Sequence, residues 1–203
     1  MMVDGLELPE GVFLAGKREA TQIGDITADA FQNDPFNLWL FGKFGAMEMT
    51  FRTLAKHVYV PRGVCYHLGN KAAAMWMMPG GKLDIPMHAL PAFGVKLVLQ
   101  GSAGVMARAD AATEAMEKHH PAEPHAYLFT IGVRQAERGH GLGRVLMQPM
   151  LDKLDTDGTP AYLENSNPAN VQFYESFGFK HREYIHAVPD APPLQAMWRE
   201  PLG

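Results

Sequence analysis

Arg138-Gly139-His140-Gly141-Leu142-Gly143 places glycine at every second position of a short run. The run follows a strand-like stretch, His125 to Val133, and opens a helix-like stretch, Leu142 to Leu154. At such a junction several backbone N–H groups lack an intrahelical partner and point outward. The helix N-terminus adds partial positive charge, so a phosphate can rest there. Glycine lets that phosphate approach, because no Cβ stands between it and the backbone. The spacing therefore implies an anion-binding loop for a phosphorylated ligand; a tight strand–helix turn without a ligand would use the same residues. It is not a Walker loop, since no Gly-Lys-Ser/Thr follows, and G-x-G-x-G differs from the dinucleotide G-x-G-x-x-G. That fingerprint would also open an early βαβ repeat, whereas this loop lies in the last third of the chain.

The elements that must position the loop read most clearly in the same third. Tyr127, Phe129, Ile131 and Val133 should face one way, and Ala126, Leu128, Thr130 and Gly132 the other. Both sets are mostly apolar, so this strand should be central. Pro149 lies inside the following helix and should bend it. Ala161 to Asn165 is the next strand. Asn167 is a good N-cap, Pro168 fits the first helical position and Gly178 is a good stop. Asn170 and Tyr174, four apart, would share one face of that helix. Phe179 to Val188 and Gln195 to Arg199 could close the sheet.

Upstream, residues 1–16 read as a loose lead-in. Arg18 to Phe31 starts strand-like and becomes helical, and Asn33-Asp34-Pro35 breaks it. Met47 to Val60 carries apolar residues at helical spacing. Gly63 to Leu68 and Ala72 to Met78 read as two strands around a Gly69-Asn70 turn. Ile85 to Lys118 is rich in helix formers, broken near Pro91 and around Gly101 to Gly104. Alternating strands and helices, without repeats, point to one α/β domain over residues 1–203.

Glu137-Arg138-Gly139-His140-Gly141-Leu142-Gly143 resembles the R/Q-x-x-G-x-G/A pyrophosphate loop of the GNAT superfamily of N-acetyltransferases. A second block, Tyr162-Leu163-Glu164, Asn170 and Tyr174-Glu175-Ser176-Phe177-Gly178-Phe179, resembles that family's later strand and helix. Leu146 to Glu164 is similar to the branch that contains puromycin N-acetyltransferase. The likeness covers roughly His125 to Phe179; the N-terminal half matches only in its order of elements. It implies a mixed, mostly antiparallel sheet flanked by helices, with central strands that splay apart around the cofactor. It also implies transfer of an acetyl group from acetyl-coenzyme A to the primary amine of a small molecule by direct attack. A protein or peptide amine as acceptor, and a catalytically silent acetyl-coenzyme A sensor, are the alternative readings.

Under that resemblance the backbone of Ile131 and Val133 would pair with the pantetheine arm, as a sheet edge accepts a peptide. The N–H groups of Gly139, His140, Gly141, Leu142, Gly143 and Arg144 would hold the pyrophosphate. Arg138 and Arg144 could add charge, or be solvated surface residues. Asn170 would bond the coenzyme. Tyr174 is the implied general acid: a phenol near pKa ~10 can give its proton to a thiolate near ~8.5 as the C–S bond breaks. A core tyrosine beside Phe173 and Phe177 would look the same in sequence. The general base is open among His125, Tyr127 and Glu164. His125 has the right ordinary pKa, and Glu164 could act through water.

Bulk properties narrow the partners. The chain has 203 residues, enough for one sizeable core. Eighteen Lys+Arg against 22 Asp+Glu give a net charge of −4, which argues against nucleic acid. One cysteine, Cys65, allows no internal disulfide, which fits a cytoplasmic location, and nothing pairs it with a base for nucleophilic work. The first residues lack a signal-peptide pattern, and no apolar run is long enough for a bilayer. His119-His120 has no acidic or Cys partner at ligand spacing, so no metal is expected and a solvated turn is the reading. A homodimer is compatible with the sequence, but no residue specifies one.

Overall fold

The β2–β3 hairpin, Val64–Leu68 and Ala72–Met77, turns on Gly69, whose φ is +51°. The computed structural model describes residues 5–202 of the chain. The hairpin lies inside a seven-stranded sheet of order β1-β2-β3-β4-β5-β7-β6. The remaining strands are β1 Val12–Leu14, β4 Ala126–Val133, β5 Ala161–Asn165, β6 Lys180–Ile185 and β7 Leu194–Arg199. Every pairing is antiparallel except β4 with β5.

The lead-in expected over residues 1–16 is corrected in part: Val12–Leu14 pairs with β2, and Val12 is buried. Three residues are too few to show a period of two, so the strand was illegible. Residues 1–4 lie outside the described residues. The strand-like start expected at Arg18 is also corrected. Ala20–Phe31 is one helix, α1, burying Ile23, Ile26 and Ala30 on a single side. Thr21 and Ile23 favour strands locally, but burial of that apolar stripe decides the conformation.

Asp34 caps α2 (Pro35–Phe41), its Oδ1 accepting from the Asn37 N–H at 2.9 Å. α3 (Phe44–Leu54) continues through a π turn, Ala55–Tyr59, into α4 (Val60–Arg62). α5 (Leu90–Gln100) and α6 (Val105–His119) fill the stretch before β4. Pro91 sits in the first turn of α5 and begins that helix instead of breaking one. α7 (Leu142–Thr156) runs on through buried Pro149, and α8 (Val171–Glu175) is short.

β4 is central, as its two apolar faces require. α7 covers one face through Leu146, Met147 and Met150; α1 and Tyr59 cover the other. The expected alternation fails midway. The register to β3 passes from Trp76↔Leu128 to Met75↔Thr130, leaving Phe129 as an extra residue. This bulge flips the pleat, so Ile131 and Val133 join Leu128 on the α7 side. Phe129 stacks on Tyr59 at 4.3 Å on the other. Gly132 now faces α1, where a Cβ would lie 2.9 Å from that of Ala30.

Arg199 fastens α7 to the far half of the sheet. Its side chain is 3% exposed and makes paired bonds of 2.6 and 2.7 Å to Asp155, while its Nε donates to the Phe177 carbonyl. The guanidinium holds the Asp155 carboxyl below the usual carboxylate range. Arg199→Met should cost about 3 kcal/mol, because it strands a carboxylate and a carbonyl. Urea denaturation monitored by tryptophan fluorescence checks this; an unchanged midpoint would contradict it.

Candidate active site

β4 and β5 pair only at Ala126↔Ala161 and Tyr127↔Tyr162. Beyond Tyr127 the two strands part, and among the described residues β4 has no neighbour on that side. The opening is a cleft of about 450 Å³, bounded by Ile131, Val133, Gly141, Asn170, Phe173 and Tyr174 among others. A 3-10 turn, Gln135–Glu137, leads from β4 into the glycine loop. Gly139 and Gly141 have φ of +83° and +74°, conformations that side chains disfavour. Among the described residues the N–H groups of Gly139, His140, Gly141, Leu142 and Gly143 have no protein acceptor. Consecutive free donors at the N-terminus of a 15-residue helix form an anion cradle. A diphosphate fits it, since Cβ positions at Gly139 and Gly141 meet open space.

The two arginines are partly committed elsewhere. Arg138 lines the cleft, but its Nη2 donates to the Ala30 carbonyl at 2.6 Å and so closes the end of α1. Arg144 lies over the Phe177 ring at 4.7 Å and donates to Ser176 Oγ. The His140 ring is exposed, 3.2 Å from the Glu137 carbonyl. Asn167 caps the next segment, its Oδ1 accepting from the Ala169 N–H at 3.0 Å. Asn170 ends a 3-10 turn and is not inside a helix with Tyr174, yet both border the cleft. Burial raises the Tyr174 phenol above its ordinary pKa, and the nearby Asp34 charge adds to that.

The three candidate bases meet on the opposite side of the β4–β5 junction. Glu164 stands two residues past the last β4–β5 pair, its side chain 3% exposed. Its Oε1 is buried without a hydrogen-bond partner, and so is the Tyr162 hydroxyl. Burial and the Glu164 charge keep the phenols of Tyr127, Tyr162 and Tyr59 protonated well above neutral pH. His125 immediately precedes β4, and its Nδ1–H donates to the Glu123 carbonyl at 2.7 Å. Burial lowers its pKa. Its ring meets Tyr162 at 5.3 Å and His120 at 4.8 Å.

His120, read from sequence as part of a solvated turn, belongs to this cluster. Its Nδ1 is 3.9 Å from Glu164 Oε1, and its ring meets Tyr127 and Tyr162 edge-on. Only its neighbour His119 fits the surface reading, paired with exposed Glu183 at 2.8 Å. Nothing in the spacing around His120 signals this. Tyr162 was within reach, since it lies two residues before Glu164 on one strand face. Asp34 also borders the cleft, where its Oδ2 accepts from Ser166 Oγ at 2.7 Å and burial raises its carboxyl. The Asn33-Asp34-Pro35 signal marked it only as a breaker. Cys65 is buried and its thiol pushed up, away from any nucleophilic role.

Residues 101–179 match the model of the acetyltransferase (GNAT) family. That segment, which carries the glycine loop, Glu164 and Tyr174, is therefore similar to the GNAT acetyltransferases. A Schizosaccharomyces pombe protein described as an uncharacterized N-acetyltransferase is 28% identical over 193 residues, covering 85% of this chain and 76% of its own length. Mycothiol acetyltransferase of Thermomonospora curvata is 37% identical over 79 residues, covering 37% of this chain and 26% of that relative. A histone acetyltransferase and related acetyltransferase of Corynebacterium glutamicum has the same fold, with TM-score 0.68 and 23% identity over 95% of this chain and 96% of that one. GNAT enzymes use acetyl-coenzyme A as co-substrate. Among the described residues no helix of this chain is long and apolar enough to cross a membrane.

Proposed function

We propose that the protein moves an acetyl group from acetyl-coenzyme A to the primary amine of a small molecule by direct attack. The observation that carries this reading is a row of free N–H donors beside an unpaired β4 edge at the β4–β5 opening. Glu164, whose buried Oε1 has no hydrogen-bond partner, stands two residues past the last β4–β5 pair, across the junction. The diphosphate rests on the N–H groups of residues 139–143. The pantetheine arm lies along β4 at Ile131 and Val133, with Asn170 bonding it from the far wall. This brings the thioester to the apex of the splay, between Tyr174 on one side and Glu164 on the other. The likeness of Leu146 to Glu164 to the puromycin N-acetyltransferase branch supports a small amine as acceptor, not puromycin itself.

The acceptor enters as an ammonium and gives one proton to Glu164. The freed nitrogen attacks the thioester carbonyl, and its second extra proton becomes far more acidic as the C–N bond forms. The tetrahedral adduct then collapses, the C–S bond breaks and the thiolate leaves. Tyr174 hydrogen-bonds that sulfur and relays to it the proton that the nitrogen gives up, so the phenol ends protonated. A phenol raised by burial transfers a proton uphill to a thiolate, so its main contribution is the hydrogen bond itself. His125 and Tyr127 border Glu164 and take no proton from the amine.

Release of free thiol from acetyl-coenzyme A, measured across an amine panel, tests the reaction. No amine-dependent release would overturn it. Tyr174→Phe should lower kcat about 30-fold while leaving acetyl-coenzyme A affinity within twofold. Unchanged kcat would remove Tyr174 from the mechanism.

A further inference from the structure

A second cavity, of about 320 Å³, opens at the start of β4, and one of its lining residues, His120, stands 3.9 Å from Glu164 Oε1. Met77, Met78, Leu83, Pro121 and Pro124 form its apolar walls, and His120, His125 and Tyr127 form its inner end. Among the described residues no lysine or arginine lines it, and the single charged residue there is Glu123. Behind the inner end lies Glu164, whose Oε1 is the buried acceptor without a partner.

From this arrangement we infer that the cavity admits the acceptor, and that the acceptor is a monoamine with an apolar or aromatic body and no acidic group. The inference rests on the acetyl-transfer reading above and adds the substrate class. A carboxylate or phosphate on the acceptor would enter a pocket with no cation to meet it and a carboxylate at its rim. Its desolvation would go uncompensated. An ammonium, in contrast, finds the free Oε1 of Glu164. A polyamine would set a second ammonium against methionine, leucine and proline, and the rim carboxylate of Glu123 is already paired with Arg182 at 3.3 Å.

His120 is the one residue that must yield. Its Nδ1 lies 3.9 Å from Oε1, beyond hydrogen-bond length. No hydrogen bond holds the ring among the described residues, and its side chain is 28% exposed. Its contacts are edge-on, with ring centres 5.3 Å from Tyr127 and 5.4 Å from Tyr162. An ammonium that takes the ring's place sits within about 6 Å of both phenol rings, the range of cation–π attraction. The neutral His125 beside it adds no opposing charge. Shape and charge therefore select the body of the amine in the cavity and its nitrogen at the carboxylate.

The test compares 2-phenylethylamine, phenylalanine and spermidine as acceptors in the thiol-release assay. Phenylalanine carries the same body and amine as 2-phenylethylamine, plus a carboxylate. We expect kcat/KM for 2-phenylethylamine to exceed that for either other compound by at least 50-fold. Leu83 is partly exposed, so Leu83→Arg adds a cation to the wall without disturbing the core. It should lower kcat/KM for 2-phenylethylamine at least tenfold and narrow the gap to phenylalanine, with KM for acetyl-coenzyme A unchanged. Leu99→Arg, which adds the same cation at an exposed position of α5 away from both cavities, should behave as the parent protein. Comparable turnover of phenylalanine or spermidine, or indifference to Leu83→Arg, overturns the substrate class while acetyl transfer stands. Absence of thiol release with every amine overturns both.

Discussion

Gly141→Val should weaken acetyl-coenzyme A binding by at least 100-fold, measured by calorimetry. Two effects combine. Gly141 has φ of +74°, a conformation that a β-branched residue occupies only under strain, at roughly 1–2 kcal/mol. The turn will relax toward negative φ, and the N–H groups of Leu142 and Gly143 will swing away from their common focus. The new side chain also projects into open space bordering the cleft, where the diphosphate must lie. Charge-assisted hydrogen bonds from a helix N-terminus are among the stronger ones, so losing two or three of them is expensive. Gly158→Val is the matched control. Gly158 has φ of +63°, also faces open space, and follows the far end of α7. It should destabilise the fold by a similar amount and leave coenzyme affinity within twofold. Normal affinity in Gly141→Val would separate the loop from the coenzyme.

The loop was legible because its physics is local. Glycine spacing, a strand before it and a helix after it are all written in consecutive residues, and the structure places Gly141 at the cap of α7. β4, β5 and α7 were legible for the same reason, their periods running over enough residues to be seen. The bulge at Phe129 was not, because it arises from a mismatch with β3, a partner fifty residues upstream. Its consequence was a wrong assignment of which side Ile131 and Val133 face. His120 was missed because its role is set by Glu164, brought beside it only when α6 returns the chain to β4. Tyr59 is a similar case: it reaches the cluster from the π turn after α3 and stacks on the bulged Phe129. Long-range contact made these residues neighbours, and single-sequence periodicity carries no information about it.

Glu164→Gln should lower kcat/KM for the amine about 1,000-fold near neutral pH, with acetyl-coenzyme A affinity unchanged. Glutamine keeps the volume and one carbonyl oxygen, so packing against Tyr127 and Tyr162 survives. What disappears is the negative charge that draws an ammonium in and the oxygen that accepts its proton. The pH profile separates these roles from a structural one. An amine of ordinary pKa is almost wholly protonated at pH 7, and without a base only its neutral fraction can attack. The variant's rate should therefore climb about tenfold per pH unit from pH 7 until the amine's own pKa is reached. The parent enzyme should rise less steeply, because Glu164 lets the protonated form bind and then removes its proton. The two curves should converge at high pH. A variant that is uniformly slow at every pH, with no convergence, would mean that Glu164 merely supports the cluster. The base would then have to be sought at His125, whose Nδ1–H is fixed on the Glu123 carbonyl and whose Nε2 is left free to accept a proton.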